Sequence, residues 1–411
     1  MRKIDHSWDF ANADTKYYTH GIHSYPAMMI PQVSRRIIAE YGKEAKNCYD
    51  PFCGSGSVLL EFQLAQKNCY GTDINPLAIL ISKVKTTNIP VRKLQESCSK
   101  IRNDIFSYRM GKKVKTPDFF NINYWFKEKT IKDLSLISES INKIKEQYVK
   151  NFFKVCFSET ARKSSTTRGG EFKLYRINEK KLENYNPDAI EIFQKIVQKN
   201  LNAMQNLNES LGFENLPKIK IIETDITKRI PLDEESIDLI VSSPPYGDSR
   251  TTVAYGQFTR LSLQWLEFDE KKARQLDNMS LGGKPAKEKL NFSSPTFDKI
   301  ISKISNKDEK RAKDVISFFN DFYKASIRME KVMKPKSKIC WVLGNRTVKD
   351  TKIYTDKIIS EMFKEFGYRN STTIVRRIPS KRMPKMNSPT NKPGVLSTTM
   401  NEESIIILER N

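Results

Sequence analysis

The stretch Asn47-Cys48-Tyr49-Asp50-Pro51-Phe52-Cys53-Gly54-Ser55-Gly56-Ser57 has the composition of a short strand, a glycine turn and the start of a helix. Gly54 and Gly56 let a ligand approach the backbone closely, as in the strand-to-helix turns that bind nucleotides. A third glycine and the Lys-Ser/Thr pair of a triphosphate-binding loop are both missing, which disfavours a triphosphate ligand. Asp50 would also repel phosphates, so the turn favours a ligand with an amine or a sulfonium group.

Two further acidic residues follow predicted strands. The strand 68–72 ends at Asp73, about twenty residues after the glycines, where an acidic side chain commonly binds the hydroxyl groups of a ribose. The strand 219–222 leads to Asp225, which is placed to accept a hydrogen bond from an adenine amino group. Together with the glycine turn, these positions favour an adenosyl ligand.

A second motif, Ser242-Ser243-Pro244-Pro245-Tyr246-Gly247, follows the apolar strand 237–241. The two prolines stiffen a backbone whose carbonyl groups can accept hydrogen bonds from an amino group. Ser243 offers a further acceptor, and Tyr246 offers a flat face on which a base can stack. This combination suits the exocyclic amine of an extruded nucleobase. A stiffened turn without chemistry is the alternative for the motif taken alone.

Composition limits the choice of partner. The chain of 411 residues has 71 Lys and Arg against 48 Asp and Glu, a formal charge of +23, which favours a polyanion such as nucleic acid. A lysine-rich composition from an AT-rich genome is the alternative explanation. No apolar run approaches the length of a membrane span, and the N-terminus lacks the apolar core of a signal peptide, so we expect a cytoplasmic protein without a membrane partner.

Metal chemistry is not expected. The six cysteines are scattered without a CxxC pair, and all three histidines lie within the first 23 residues. The cysteines are therefore interpreted as reduced thiols of the core.

The predicted fold class is α/β, with a seven-stranded, mostly parallel sheet, an antiparallel last strand and a helical insertion. The strands lie near residues 48, 70, 220, 239, 340, 373 and 406; the first five alternate with helices and the last two form a hairpin. Ligands bind at the carboxyl ends of parallel strands, so one cleft should gather Asp50, Asp73, Asp225 and Ser243.

The chain resembles the amino-methylating DNA methyltransferases that use S-adenosylmethionine, most closely the N4-cytosine-specific group of restriction–modification methylases. Their DPFxGxG-type cofactor motif is matched by Asp50 to Gly56, and their (Ser/Asp/Asn)-Pro-Pro-(Tyr/Phe/Trp) motif by Ser243 to Tyr246. The segment Thr19 to Ala27 resembles the family segment that helps enclose the methionine part of the cofactor. The resemblance implies a Rossmann-like class I methyltransferase fold in which the cofactor half precedes the catalytic half.

The resemblance implies catalytic roles for Ser243, Pro244, Pro245 and Tyr246. It implies cofactor binding by Thr19, His23, Asp50, Phe52, Gly54, Gly56, Asp73 and Asp225, with Asp50 near the amino-acid end, Asp73 near the ribose and Asp225 near the adenine. We expect the basic loop 376–394 to open beside the cleft and to bind nucleic acid through Arg376, Arg377, Lys381 and Arg382.

The chain is divided into five segments on this basis. They are the N-terminal cofactor segment and first part of the methyltransferase domain (1–84), a mainly helical insertion (85–215), the catalytic part (216–268), a mobile, basic insertion (269–312) and the C-terminal part (313–411). One of the two insertions is expected to recognise the DNA target.

The first residue of the second motif bears on the substrate. In the family, Ser is typical of enzymes that methylate N4 of cytosine, whereas Asp or Asn is typical of N6-adenine enzymes. The expected reaction is direct methyl transfer to a cytosine flipped out of double-stranded DNA, with a cognate restriction endonuclease acting separately. Methylation of carbon 5 is disfavoured, because it commonly uses a Pro-Cys nucleophile and the chain has no such dipeptide.

Three alternatives stay open from the sequence. They are an N6-adenine DNA methyltransferase, an RNA base-amine methyltransferase of the same fold, and a nucleic-acid-binding protein that has kept the fold without the activity.

Overall fold

The computed structural model describes residues 2–110, 113–169, 172–248, 252–379, 386–387, 397–398 and 401–410. The strands are β1 (Arg2–Ile4), β2 (Asn47–Asp50), β3 (Asn68–Asp73), β4 (Ile219–Glu223), β5 (Ile237–Ser242), β6 (Met333–Gly344), β7 (Arg346–Val348), β8 (Thr351–Ile353), β9 (Tyr368–Arg377), β10 (Met386–Asn387), β11 (Ser397–Thr398) and β12 (Glu402–Arg410).

The helices are α1 (Pro31–Tyr41), α2 (Ser57–Leu64), α3 (Pro76–Lys85), α4 (Val91–Arg109), α5 (Ile122–Trp125), α6 (Glu128–Asn142), α7 (Gln147–Ser164), α8 (Glu179–Glu183), α9 (Ala189–Leu211), α10 (Tyr255–Trp265), α11 (Glu270–Met279), α12 (Pro295–Ser305), α13 (Glu309–Val332) and α14 (Thr355–Lys364). None of these described helices combines the length and the apolar character needed to cross a membrane.

The central sheet has the strand order β1-β9-β12-β6-β5-β2-β3-β4. Strands β6, β5, β2, β3 and β4 run parallel, and β12 is antiparallel to both of its neighbours, β6 and β9. The predicted α/β fold, with a Rossmann-like, mostly parallel sheet and an antiparallel last strand, is confirmed. The sheet has one strand more than predicted, because β1 adds to its edge beside β9. β1 has three exposed residues and therefore gives no periodic signal.

Helices cover both faces of the sheet. Alternate residues of β6 point to opposite sides: Trp341 packs with the aromatic residues of α13, while Cys340 and Val342 belong to the apolar cluster that includes α1 and α2. Strand β5 is buried along nearly its whole length, as its apolar sequence predicts for a strand covered on both faces.

The insertion 85–215 is helical, as predicted, and shares a core with α10. Trp265 of α10 lies edge-on to Phe126 and Phe157, with ring centroids 5.5 and 6.0 Å away. Apolar residues from Ile137 to Phe152 recur at helical spacing in the sequence, and the structure divides them between α6 and α7.

The segment 269–312 was expected to be a mobile, basic insertion, and in the structure it forms α11 and α12. Phe297 and Ile304 of α12 are fully buried in the core beneath α13. The lysines and glycines that suggested mobility lie between α11 and α12, and both of these helices bury apolar side chains in the core. A role for this segment or for 85–215 in target recognition stays a prediction.

Candidate active site

A cleft with an empty volume of about 990 Å³, partly open to solvent, lies at the carboxyl ends of the parallel strands. It lies where the chain order reverses between β2 and β5, a position at which open α/β sheets commonly bind ligands. Asp50, Asp73, Asp225 and Ser243 all line it, so the structure brings together the four side chains predicted to meet there.

The glycine turn between β2 and α2 has the left-handed backbone that glycine permits, with φ of +48° at Gly54 and +77° at Gly56. A Cβ atom at Gly56 would lie 3.0 Å from Cα of Ser82. The Ser82 hydroxyl donates to the carbonyl of Gly54 at 2.6 Å, which fixes the turn against α3. Gly54 lines the cleft, whereas Gly56 serves as the N-cap of α2.

Two carboxylates lie at the wall of the cleft, Asp50 buried and Asp73 half-buried. Asp50 accepts from the Ser242 hydroxyl at 2.6 Å, and Asp73 accepts from the backbone N–H groups of Gly54 and Asn75 at 3.0 and 2.8 Å. Burial raises the pKa of Asp50 to about 7 and that of Asp73 to about 6. Neither forms a salt bridge within the described residues.

These unpaired acidic groups suit a ligand that brings positive charge, which S-adenosylmethionine does through its sulfonium and amino groups. A cationic group in the cleft would relieve the cost of burying the carboxylates. The residues present therefore fit the expected cofactor.

The other residues expected to bind the cofactor divide into two groups. Phe52 lines the cleft, and its ring stacks on Phe322 at 6.3 Å. Thr19 and His23 are buried behind the cleft wall: the Thr19 hydroxyl donates to the carbonyl of Lys85 at 2.7 Å, and Nε2 of His23 lies 3.1 Å from the Ser158 hydroxyl. They are placed to support the wall rather than to line it, and direct cofactor contact by them stays a prediction.

The second motif contains a directed chain of hydrogen bonds. Ser243 donates to the Tyr246 hydroxyl at 3.1 Å, and Tyr246 donates to Oε1 of Glu403 at 2.9 Å. Arg376 donates to the other oxygen of Glu403. A carboxylate only accepts, so Tyr246 has to give its proton to Glu403 and can only accept from Ser243. The lone pairs of Ser243 consequently remain available on the side of the cleft.

The two prolines of the motif have different positions. Pro245 lines the cleft with Ser243, and Pro244 is buried beneath them. Burial beside Glu403 raises the pKa of Tyr246 well above its usual value, which keeps its hydroxyl protonated.

The four residues expected to bind nucleic acid are separated by the structure. Arg376 is buried, and besides Glu403 it donates to the carbonyl groups of Trp8 and Asp9. Arg377 is exposed at the end of β9. Lys381 and Arg382 lie outside the described residues. Arg376 is therefore placed to hold Glu403, and contact with DNA is kept as a proposal for the other three.

Several residues that line the cleft or support the second motif were not predicted as site residues from the sequence. Tyr25 and Tyr255 stack at 5.9 Å and both line the cleft, while Ser280 and Leu281 reach it from the segment after α11. Tyr25 belongs to the segment Thr19 to Ala27, and the resemblance of this segment to one that encloses the cofactor was a usable signal. Glu403 carries no local signal, because its contact with Tyr246 depends on the pairing of β12 with β6 and β9.

Within the part of the chain that the structure describes, no group of three or more His, Cys, Asp or Glu side chains could hold a metal ion.

The chain is similar in sequence to known DNA methyltransferases. The family model described as DNA methylase, of the N6/N4 type, matches residues 1–84. Type II methyltransferase M.MvaI of Kocuria varians is 45% identical over 421 residues, covering 97% of this chain and 93% of that protein. Type II methyltransferase M.MjaII of Methanocaldococcus jannaschii is 29% identical over 178 residues, covering 36% and 33%.

Among solved structures, the ribosomal RNA methyltransferase aviRa of Streptomyces viridochromogenes aligns with a TM-score of 0.33 at 9% identity. The alignment covers 94% of this chain and 88% of that one.

We predict that Asp50→Asn stabilises the free protein at high pH. Burial raises the pKa of Asp50 from 3.8 to about 7, so between these values the folded state holds a proton that the unfolded chain has lost. Stability therefore falls as pH rises through this window. In urea unfolding, the variant should exceed the wild type by about 1 kcal/mol or more at about pH 8 and match it at about pH 3.5.

Exposed Asp233→Asn is the matched control and should change the free energy of unfolding little at either pH. A variant at Asp50 that is no more stable than the wild type at high pH would contradict the electrostatic account of the cleft.

Proposed function

The chain belongs to the type II DNA amino-methyltransferases, and we propose that it methylates the N4 amino group of cytosine in double-stranded DNA. S-adenosylmethionine is the cofactor and supplies a methyl group on a positively charged sulfur. A restriction endonuclease that cuts the unmethylated site is the expected partner, acting separately.

The direction of the hydrogen bond made by Ser243 carries the part of the proposal that makes an exocyclic amino group the target. Glu403 accepts from Tyr246, and Tyr246 accepts from Ser243, so Ser243 faces the cleft as an acceptor. The N–H group of an exocyclic amine needs an acceptor of this kind. A base that presented a carbonyl oxygen at this position would find no donor in Ser243.

Holding the amino group in this way supports attack by its nitrogen. A hydrogen bond to Ser243, with a second to the carbonyl of Pro244, orients the nitrogen lone pair and opposes its delocalisation into the ring. Correct positioning of reacting groups contributes roughly 7–11 kcal/mol at most to lowering a barrier. The transferred methyl group is already activated, so the reaction does not demand a strong base among the side chains.

A base in a duplex is stacked and paired, and enzymes that modify an atom of the base commonly rotate it out of the helix into a pocket. Ser243 and Pro245 line a cleft of this kind. We therefore propose that the target nucleotide is flipped out of the duplex and that its base stacks on Tyr246.

Serine at the first motif position supports cytosine as the target. A hydroxyl supplies one oxygen at this position, where the N6-adenine enzymes of the family typically carry the longer Asp or Asn. The N6-adenine reaction is the alternative, because the chain of hydrogen bonds from Ser243 to Glu403 would hold either amino group.

The methylated nucleoside formed in DNA identifies the base that the enzyme modifies. We expect that plasmid DNA from cells expressing the protein, digested to nucleosides, contains N4-methylcytosine by mass spectrometry. A matched plasmid from cells expressing Ser243→Ala should contain much less of it. N6-methyladenine alone would overturn the cytosine assignment, and a methylated base found in RNA but not in DNA would overturn the DNA substrate.

Two variants test the role of the hydrogen-bonded chain. Ser243→Ala removes the acceptor and should lower kcat by about 10²-fold. Tyr246→Phe keeps the stacking face but frees the Ser243 hydroxyl to turn, so it should lower kcat by about 10-fold. Both variants should bind S-adenosylhomocysteine as tightly as the wild type in calorimetry. Normal transfer by both would refute the assigned role of the motif.

Nucleic-acid binding is proposed at the end of β9 nearest to Tyr246. Arg377→Ala should weaken DNA binding to the same extent for all sequences, and should reduce the salt dependence by about 0.9 for each phosphate that the protein no longer neutralises. Arg369→Ala is the matched control, since this exposed arginine lies at the other end of the same strand. Equal salt slopes for the wild type and Arg377→Ala would refute a role for Arg377 in binding DNA.

A further inference from the structure

A buried lysine beside the glycine turn has no role in the reaction described above. Lys85, the last residue of α3, is 1% exposed. Its amine lies 3.3 Å from the Ser55 hydroxyl and 3.4 Å from the Ser57 hydroxyl, both of which belong to residues that line the cleft. The third N–H of the ammonium group finds no acceptor, and the amine forms no salt bridge, within the described residues.

Burial of this amine is costly in the free protein. Removal from water lowers the pKa of Lys85 to about 7, and no carboxylate among the described residues offsets the effect. Burial of a charged group without a partner commonly marks a position where a ligand provides the opposite charge.

The same corner of the cleft contains the start of α2. Gly56 is the N-cap and has no side chain, so no side-chain hydrogen bond caps the helix. The first backbone N–H groups of a helix lack partners within it and carry partial positive charge. The helix end and the Lys85 amine thus converge on Ser55 and Ser57 without an anion among the described groups.

We propose that Lys85 and the N-terminus of α2 bind a carboxylate, that of the amino-acid end of S-adenosylmethionine. The cleft then matches a zwitterion: Asp50 and Asp73 attract positive charge, and the corner at Lys85 attracts negative charge. A carboxylate there accepts from the hydroxyls of Ser55 and Ser57, which line the cleft, and the Lys85 amine behind them donates to both hydroxyls and supplies the positive charge. This inference rests on the cofactor site of the proposed function but not on the identity of the methylated base.

Two ligands that differ only in this group test the inference by calorimetry. S-adenosylhomocysteine has the carboxylate, and S-adenosyl-3-thiopropylamine has the same adenosine, thioether and ammonium groups without it. The wild type should bind the first roughly 30-fold more tightly than the second. In Lys85→Met this ratio should fall by about tenfold or more, with the affinity for the decarboxylated ligand unchanged.

The controls separate this role from a structural one. Lys83→Met, at an exposed position on the same helix, should keep the wild-type ratio. Methionine has a similar shape to lysine, and removing a buried charge without a partner is not expected to destabilise the fold, which thermal unfolding checks. The comparison of the two ligands on the wild type needs no variant at all.

Equal affinity of the wild type for both ligands, or an unchanged ratio in Lys85→Met, would overturn the inference. Binding of neither ligand would overturn the cofactor site itself. A lack of N4-methylcytosine with the expected affinity ratios would overturn the proposed base and leave the carboxylate site standing.

Discussion

One buried hydrogen bond joins the two halves of the cleft. The Ser242 hydroxyl donates to Asp50 at 2.6 Å, although the two residues are 192 positions apart in the chain. The bond depends on the parallel pairing of β2 with β5, in which Cys48 lies opposite Leu239 and Tyr49 opposite Ile240. This register brings the residue before the glycine turn next to the residue before Ser243. A slip of either strand by one residue would turn its side chain to the other face of the sheet and break the hydrogen bond.

The last strands of the sheet determine the direction of the hydrogen bonds in the second motif. Glu403 is the second residue of β12 and lies opposite Gly344 of β6 and Arg376 of β9. Arg376 holds Glu403, and Glu403 fixes the proton of Tyr246. The antiparallel end of the sheet therefore decides which way the Ser243 hydroxyl points. A turn of Ser, two prolines and Tyr has no such preference by itself, because a hydroxyl can donate or accept.

The sequence predicted those parts of the fold that depend on residues close together in the chain. The apolar run 237–241, the glycine turn and the acidic strand ends all act over a few residues, and the cleft that gathers Asp50 and Ser243 follows from parallel pairing. Interactions set by long-range register gave no signal. Arg376 and Arg377 look alike in a basic stretch, yet strand alternation makes the first a buried partner of Glu403 and leaves the second exposed.

The chain as a whole is positively charged, whereas the cleft is lined by acidic side chains. This contrast explains how a protein with an acidic cleft can bind a polyanionic substrate. The chain carries +23, whereas Asp50, Asp73 and Asp225 line the cleft. Excess positive charge attracts the phosphate backbone to the protein, and the buried carboxylates repel phosphates from the interior. An uncharged base meets no such repulsion. In the proposed reaction, this separation of charge would favour entry of an uncharged base into the cleft while the phosphate backbone stays outside it.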